Sequence, residues 1–269
     1  MKNLIVVLMQ LLFLAPIFGQ TPEEFYKLGL EKAENQDYFG AIAAFTKSLE
    51  GNPDHPLVLF HRGRVKYNLS DYEGSLADYD KAISITNVHP NIFHNRALAK
   101  LGKGDYQGAI DDFTSVLELD PYAIDAYYER AMVNMAREEY EKVIPDMDIC
   151  IACKYNMVRS YYYRGSAKLL TEDYEGALKD FNKSIKKDKT LADTFLGRGM
   201  VYQNTGKYEK ALKDYDQAIQ LEKRYAEAFY ARGFLKVVTN DTDGGCQDLY
   251  RAKELGSKGA ETVINKYCK

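Results

Sequence analysis

This chain has little with which to run a reaction. Its 269 residues hold four histidines, His55, His61, His89 and His94, and none stands at metal-ligand spacing from acidic or cysteine partners. No glycine-rich loop is present to cradle a phosphate. Aspartate and glutamate are spread along the whole chain rather than gathered, so no catalytic pair is singled out. The expectation is no enzyme, no catalytic residue, no metal and no cofactor. An excess of positive charge is missing too: 36 lysines and arginines against 39 aspartates and glutamates leave a net charge of −3. That gives no basic face for nucleic acid.

Long apolar runs are confined to the first residues. Met1 to Gly19 carries one Lys2, then LIVVLMQLLFLAPIF, then a small residue before the polar Gln20-Thr21-Pro22-Glu23. Charge, apolar centre and small residue in that order read as a secretory signal at residues 1–19, cut near Gly19 and Gln20. An uncleaved anchor is the alternative, although the stretch is short for a span. No cysteine sits there to take a lipid, and no membrane span is expected after cleavage. The localisation that follows is exported, periplasmic or secreted.

What the chain does have is a period. Tyr38, Tyr72, Tyr106, Tyr140, Tyr174 and Tyr208 lie 34 residues apart, as do Arg62, Arg96, Arg130, Arg164, Arg198 and Arg232. A fixed period of that length means stacked supersecondary units. Within Val158 to Leu191, apolar residues recur at helical spacing (Tyr161, Gly165, Leu169; then Ala177, Leu178, Phe181, Ile185) around a polar Thr171-Glu172-Asp173 break. Each unit therefore reads as helix, turn, helix, with Asp173 placed to cap the second helix and Asp37, Asp71 and Asp105 repeating it.

The fourth position of each unit is bulky (Phe25, Leu59, Phe93, Tyr127, Tyr161, Phe195, Phe229). The eighth is small (Gly29, Gly63, Ala97, Ala131, Gly165, Gly199, Gly233), which lets helices approach closely. A second-helix alanine (Ala41, Ala109, Ala177, Ala211) and a following aromatic (Phe45, Tyr79, Phe113, Phe181, Tyr215) complete a pattern that resembles the tetratricopeptide repeat family. The resemblance implies an all-α superhelical solenoid of about seven helix-turn-helix units. Their boundaries are 22–55, 56–89, 90–123, 124–157, 158–191, 192–225 and a degenerate 226–257. Residues 258–269, with Ala260, Val263, Ile264 and Tyr267 at amphipathic spacing, then form a capping helix over the last apolar face. The pattern departs from the family at the eleventh position, where lysine (Lys32, Lys66, Lys100, Lys168, Lys236) replaces a frequent aromatic. Unit four is irregular, carrying Val143, Pro145 and Met147.

Arginine at the seventh position recurs with aspartate at the twenty-third: Arg62 with Asp78, Arg96 with Asp112, Arg130 with Asp146, Arg164 with Asp180, Arg198 with Asp214 and Arg232 with Asp248. Unit one has Leu28 and Ala44 instead, so the two appear and vanish together. Pairing inside each repeat explains this, because an unpaired buried arginine is costly. A basic stripe for a partner is the other reading.

In proteins similar to this one the first helices line the concave face, and the fifth position points into it. Here that implies a groove of Tyr26, Phe60, His94, Tyr128, Tyr162, Leu196 and Tyr230, with Arg64, Leu98, Met132, Met200 and Phe234 beside them. Aromatic and methionine side chains suit an extended or helical peptide. The competing reading is that many of them only seal first-helix packing. Arg64 and Asn68 match two places of the family's clamp for a terminal carboxylate, and the rest of that clamp is missing.

Four cysteines in an exported chain permit disulfides. Cys246 with Cys268 is the candidate pair, against Cys246 simply filling an apolar slot. Cys150 and Cys153 have redox spacing but fall late in a helix, away from the N-terminus that favours a thiolate, so they read as structural thiols or a local disulfide. His61 with His94 is a weaker metal candidate, and Asp241-Thr242-Asp243-Gly244 reads as a turn rather than a calcium loop. The reading as a whole is a non-catalytic scaffold or adaptor that binds a protein or peptide segment. The alternatives are a lumenal co-chaperone of a eukaryotic secretory route, where the sequons at Asn68, Asn182 and Asn240 would matter, or a self-assembling homo-oligomer.

Overall fold

The computed structural model describes residues 21–86 and 89–268, so the expected signal segment lies outside the described residues. Among them there are fifteen α-helices and no strand. In chain order they are α1 (Pro22–Glu34), α2 (Tyr38–Gly51), α3 (Pro56–Asn68), α4 (Tyr72–Ile85), α5 (Pro90–Gly102), α6 (Tyr106–Leu119) and α7 (Ile124–Ala136). They continue with α8 (Tyr140–Ala152), α9 (Met157–Leu170), α10 (Tyr174–Lys187), α11 (Ala192–Asn204), α12 (Tyr208–Leu221), α13 (Ala226–Val238), α14 (Thr242–Glu254) and α15 (Ala260–Tyr267). The ladder tyrosines Tyr38, Tyr72, Tyr106, Tyr140, Tyr174 and Tyr208 are each the first residue of a second helix.

Local chemistry marks where about half of the helices begin. The carboxylates of Asp37, Asp71, Asp105, Asp173 and Asp241 accept from the backbone N–H of Gly40, Gly74, Gly108, Gly176 and Gly244 at 2.9–3.1 Å, satisfying a donor the helix itself leaves free. The turn just before them carries one residue in left-handed conformation, Gln36, Ser70, Glu138, Glu172 or Asn240, with Gly104 and Gly206 at the same place in their repeats. First helices begin differently: Pro22, Pro56 and Pro90 sit at N1, where a missing N–H costs nothing. Pro145 lies inside α8 and has no N–H to give the carbonyl one turn back.

The helices fall into two compact units divided between Gly104 and Asp105. In the first, α1 packs on α2, α3 on α4, and each pair on the next, with α3 also touching both α1 and α5. Phe45, Val58, Leu59, Val65 and Tyr79 are its buried centre. In the second, the pairs α7 with α8, α9 with α10, α11 with α12 and α13 with α14 stack in the same way. There α9 meets α11, α11 meets α13, and α13 meets α15. Phe113, Met147, Phe181, Tyr215 and Leu249 are fully buried there, each burial contributing roughly 1.5–3 kcal/mol. Small eighth positions admit them: a Cβ on Gly199 would stand 2.5 Å from the Tyr215 ring, and one on Gly63 2.8 Å from Tyr79. Helix α15 closes the end, with Ala260, Val263 and Ile264 against Val237, Leu249 and Ala252.

Candidate functional site

In the first unit, Tyr26 and Phe60 are half-buried on α1 and α3. Each leans on the second-helix ring of its own repeat, Tyr26 on Phe45 and Phe60 on Tyr79, both at 6.1 Å between centroids. They are thus partly packing residues. His61 fills the space between the two repeats, 5.8 Å from Tyr26 and 5.1 Å from Phe60. Burial, and secondarily Arg64, push its pKa down to about 4, so the ring is neutral. Arg64 is exposed, lies over the Phe60 ring at 5.9 Å and shares a cavity of about 420 Å³ with Asn68 and Tyr38. Glu34 lines the same cavity, and a carboxylate there competes with a bound anion. His94 and Leu98 are half-buried on α5.

The second unit gathers more. Tyr128 on α7 meets Tyr155 at 5.6 Å and Tyr163 at 6.0 Å, both edge-on, and Tyr163 meets Tyr162 edge-on at 5.0 Å. Tyr162 leans on Phe181 at 6.3 Å. In the three tyrosine pairs the ring planes are inclined to one another at 61–75°, the edge-to-face geometry that aromatic pairs favour. Burial raises the Tyr128 and Tyr162 hydroxyls, the latter to about 12, so both stay protonated donors. Asn156 Nδ2 donates to the Tyr128 hydroxyl at 3.4 Å. Next along the face, the Tyr225 hydroxyl donates to Asp193 Oδ1 at 2.5 Å, with Arg159 3.8 Å from the other oxygen. Met132 and Leu196 are half-buried, and Met200 is 40% exposed. Tyr230 and Phe234 stack on each other at 6.3 Å and pack against the residues of α15, which makes them part of the end cap. Sequence reading passed over Tyr155, Tyr163, Asp193 and Tyr225. The run Tyr161-Tyr162-Tyr163, with Tyr155 just before it, was the available signal.

The arginine ladder forms bidentate pairs inside repeats. Arg62 Nη2 lies 2.6 Å from Asp78, Arg130 2.7 Å from Asp146, Arg164 2.6 Å from Asp180, Arg198 2.8 Å from Asp214 and Arg232 2.6 Å from Asp248. A second bond runs from Nε to the other carboxylate oxygen in each. Arg96 and Asp112 belong to different units. Each arginine also reaches back to the preceding repeat: Arg62 to Thr46, Arg96 to Asp80, Arg130 to Thr114, Arg164 to Asp148, Arg198 to Asn182 and Arg232 to Asp216. The guanidinium, with five donors in a planar fork, thereby ties two repeats in register. It is not free for a partner.

Comparison with other proteins settles what these stacked pairs are. The tetratricopeptide repeat profiles match residues 26–90, 94–142 and 192–225, between them more than half of the chain. This chain belongs to the tetratricopeptide repeat family. Among solved structures, a tetratricopeptide repeat protein from Parabacteroides merdae is 21% identical, covers 93% of this chain and 98% of its own, and superposes with a TM-score of 0.65. The C-terminal part of a repeat-containing protein from Cytophaga hutchinsonii is 16% identical over 88% of this chain and 98% of its own, with a TM-score of 0.70. YrrB, described as a TPR protein with an unusual peptide-binding site, is 23% identical over 70% of this chain and 97% of its own, with a TM-score of 0.64. At such identities the likeness is one of fold. No curated protein matches the sequence.

Tetratricopeptide repeats are in general non-enzymatic scaffolds. Cys246 and Cys268 form a disulfide with 5.6 Å between Cα atoms, joining α14 to the residue after α15. Cys150 and Cys153 are both free, one buried and one exposed. Cys150 points at the Ile124 carbonyl, 3.8 Å away, where Ser48 and Ser184 donate to Pro22 and Val158 in their own repeats. Burial pushes its pKa up to about 12, so it is no thiolate at neutral pH. Asp241 caps α14.

Proposed function

We propose that the chain is a non-catalytic scaffold that binds a segment of another protein along its first helices. The observation carrying this is the interlocked, partly exposed set Tyr155, Tyr128, Tyr163 and Tyr162, with Met200 exposed on α11, a helix that packs against α9. Rigid rings offer large contact area at small entropic cost, their protonated hydroxyls can donate to the carbonyls of an incoming backbone, and methionine adapts its shape. The peptide-binding description of YrrB, a protein of the same fold, supports the class of partner. Export to an oxidising compartment belongs to the same proposal, supported by the N-terminal apolar stretch and by the disulfide between Cys246 and Cys268. Photocrosslinking from the two faces of the helix pairs tests the binding surface: first-helix positions are expected to capture a partner, and capture from second-helix positions alone contradicts the proposal.

A further inference from the structure

One repeat differs from the others in a way that leaves space beside its ion pair. At the eleventh position Lys66, Lys168 and Lys236 put their ammonium groups 2.8–2.9 Å from Oδ2 of Asp78, Asp180 and Asp248, next to the arginine. In repeat two the same Nζ also donates to the Gly74 carbonyl at 3.2 Å. Each of these aspartates is thus shared by two cations. In repeat six the position is Tyr202, whose ring lies under Arg198 and Lys210 at 5.9 and 5.6 Å. Repeat four has Asn134, which is too short to do either.

The consequences are local. Asn134 is 3% exposed and its Oδ1 has no partner. Asp146 keeps the Arg130 Nε and Nη2 bonds at 2.9 and 2.7 Å and lacks the lysine. Lys142, one turn ahead on α8, is turned away to Glu139 at 2.6 Å, which also holds Arg137. A cavity of about 290 Å³ opens here, lined by Asn134, Asp146, Arg130, Thr114, Lys142 and Pro145.

We propose that this cavity is a socket for the ammonium of a lysine side chain on a partner protein, which takes the place the chain's own lysine holds in repeats two, five and seven. The other repeats supply the template: an alkyl stem along the helix pair, ending in a donor at the free side of the aspartate. An ammonium has three donors and no acceptor. Asp146 Oδ2 and the unpartnered Asn134 Oδ1 are both acceptors, so an anion entering here would meet two oxygens of the wrong sign. The Arg130–Asp146 pair is neutral as a whole, whereas repeats two, five and seven hold one positive charge more at the same place.

The test is an amide titration of the labelled full chain with acetyl-Gly-Lys-Gly-amide. The backbone amides of Lys142 and Asp146 are expected to shift saturably, to stay still with the norleucine peptide of the same length, and to lose the response in Asn134→Lys. That variant supplies the lysine in cis and is expected to melt no lower than the wild type. Unmoved amides, an equal shift with norleucine, an equal shift in Asn134→Lys, or a response to free butylammonium but not to the peptide each overturns the proposal. So does a lowered melting temperature of Asn134→Lys, since the space would then reject an ammonium.

Discussion

At the scale of single residues, the ion-pair ladder makes a prediction with an internal control. Asp146 is 4% exposed and pairs with Arg130 through two bonds, so Asp146→Ala strands a half-buried guanidinium and is expected to cost about 3 kcal/mol. Repeat one carries Leu28 and Ala44 at the matching positions, so Arg130→Leu with Asp146→Ala is expected to regain most of that loss in urea unfolding. A double variant no better than the single would show that the pair is more than a packing substitute. His61 gives a pH dependence. Its folded pKa, about 4, lies below the ordinary histidine value of 6.5, so the unfolded chain binds the extra proton first. Its contribution is therefore fully present above pH 6.5 and is lost as pH falls toward about 4. The urea midpoint of the wild type is expected to fall through that window more than that of His61→Phe. The paired arginines and aspartates were legible because both vanish in repeat one. The backward reach to Thr46, Asp80, Thr114, Asp148, Asn182 and Asp216 was not, because those positions keep the repeat spacing but mix three residue types, so no single residue marks them.

At the scale of the helix, start signals were readable and their full requirement was not. Asp173 as a cap follows from its place before an apolar stretch. The glycine three residues on is the hidden half: a Cβ on Gly176 would lie 2.1 Å from the Asp173 carboxylate. Where lysine takes that place, as Lys142 and Lys210, the cap residues are Glu139 and Lys207, and their side chains accept no backbone N–H of the helix. Gly176→Ala is thus expected to destabilise by about 1 kcal/mol through loss of the cap, whereas the same change inside an ordinary helix stabilises by about as much. Equal or greater stability in urea would show that the carboxylate moves aside freely. The groove was legible only in part for a related reason. Position five identified Tyr26, Phe60, Tyr128 and Tyr162, but periodicity does not distinguish a ring resting on Phe45, Tyr79 or Phe181 from one presented to a partner. Tyr230 and Phe234 occupy the same register and pack under α15, because the last repeat has no successor.

At the scale of the molecule, the fold was the most legible feature, since an unbroken period specifies every repeat many times over and errors at Val143 or Thr242 do not disturb its register. Function is less legible because repeats fix a surface and leave its occupant open. The central claim is that the aromatic run on the first helices is the surface that holds the partner segment. A photoreactive residue in place of Met200 on α11 and, separately, in place of Tyr250 on α14 compares two positions that are 40% and 49% exposed. The expected result is a crosslinked partner protein from the Met200 site and none from Tyr250; a partner captured from Tyr250 and not from Met200 would contradict it.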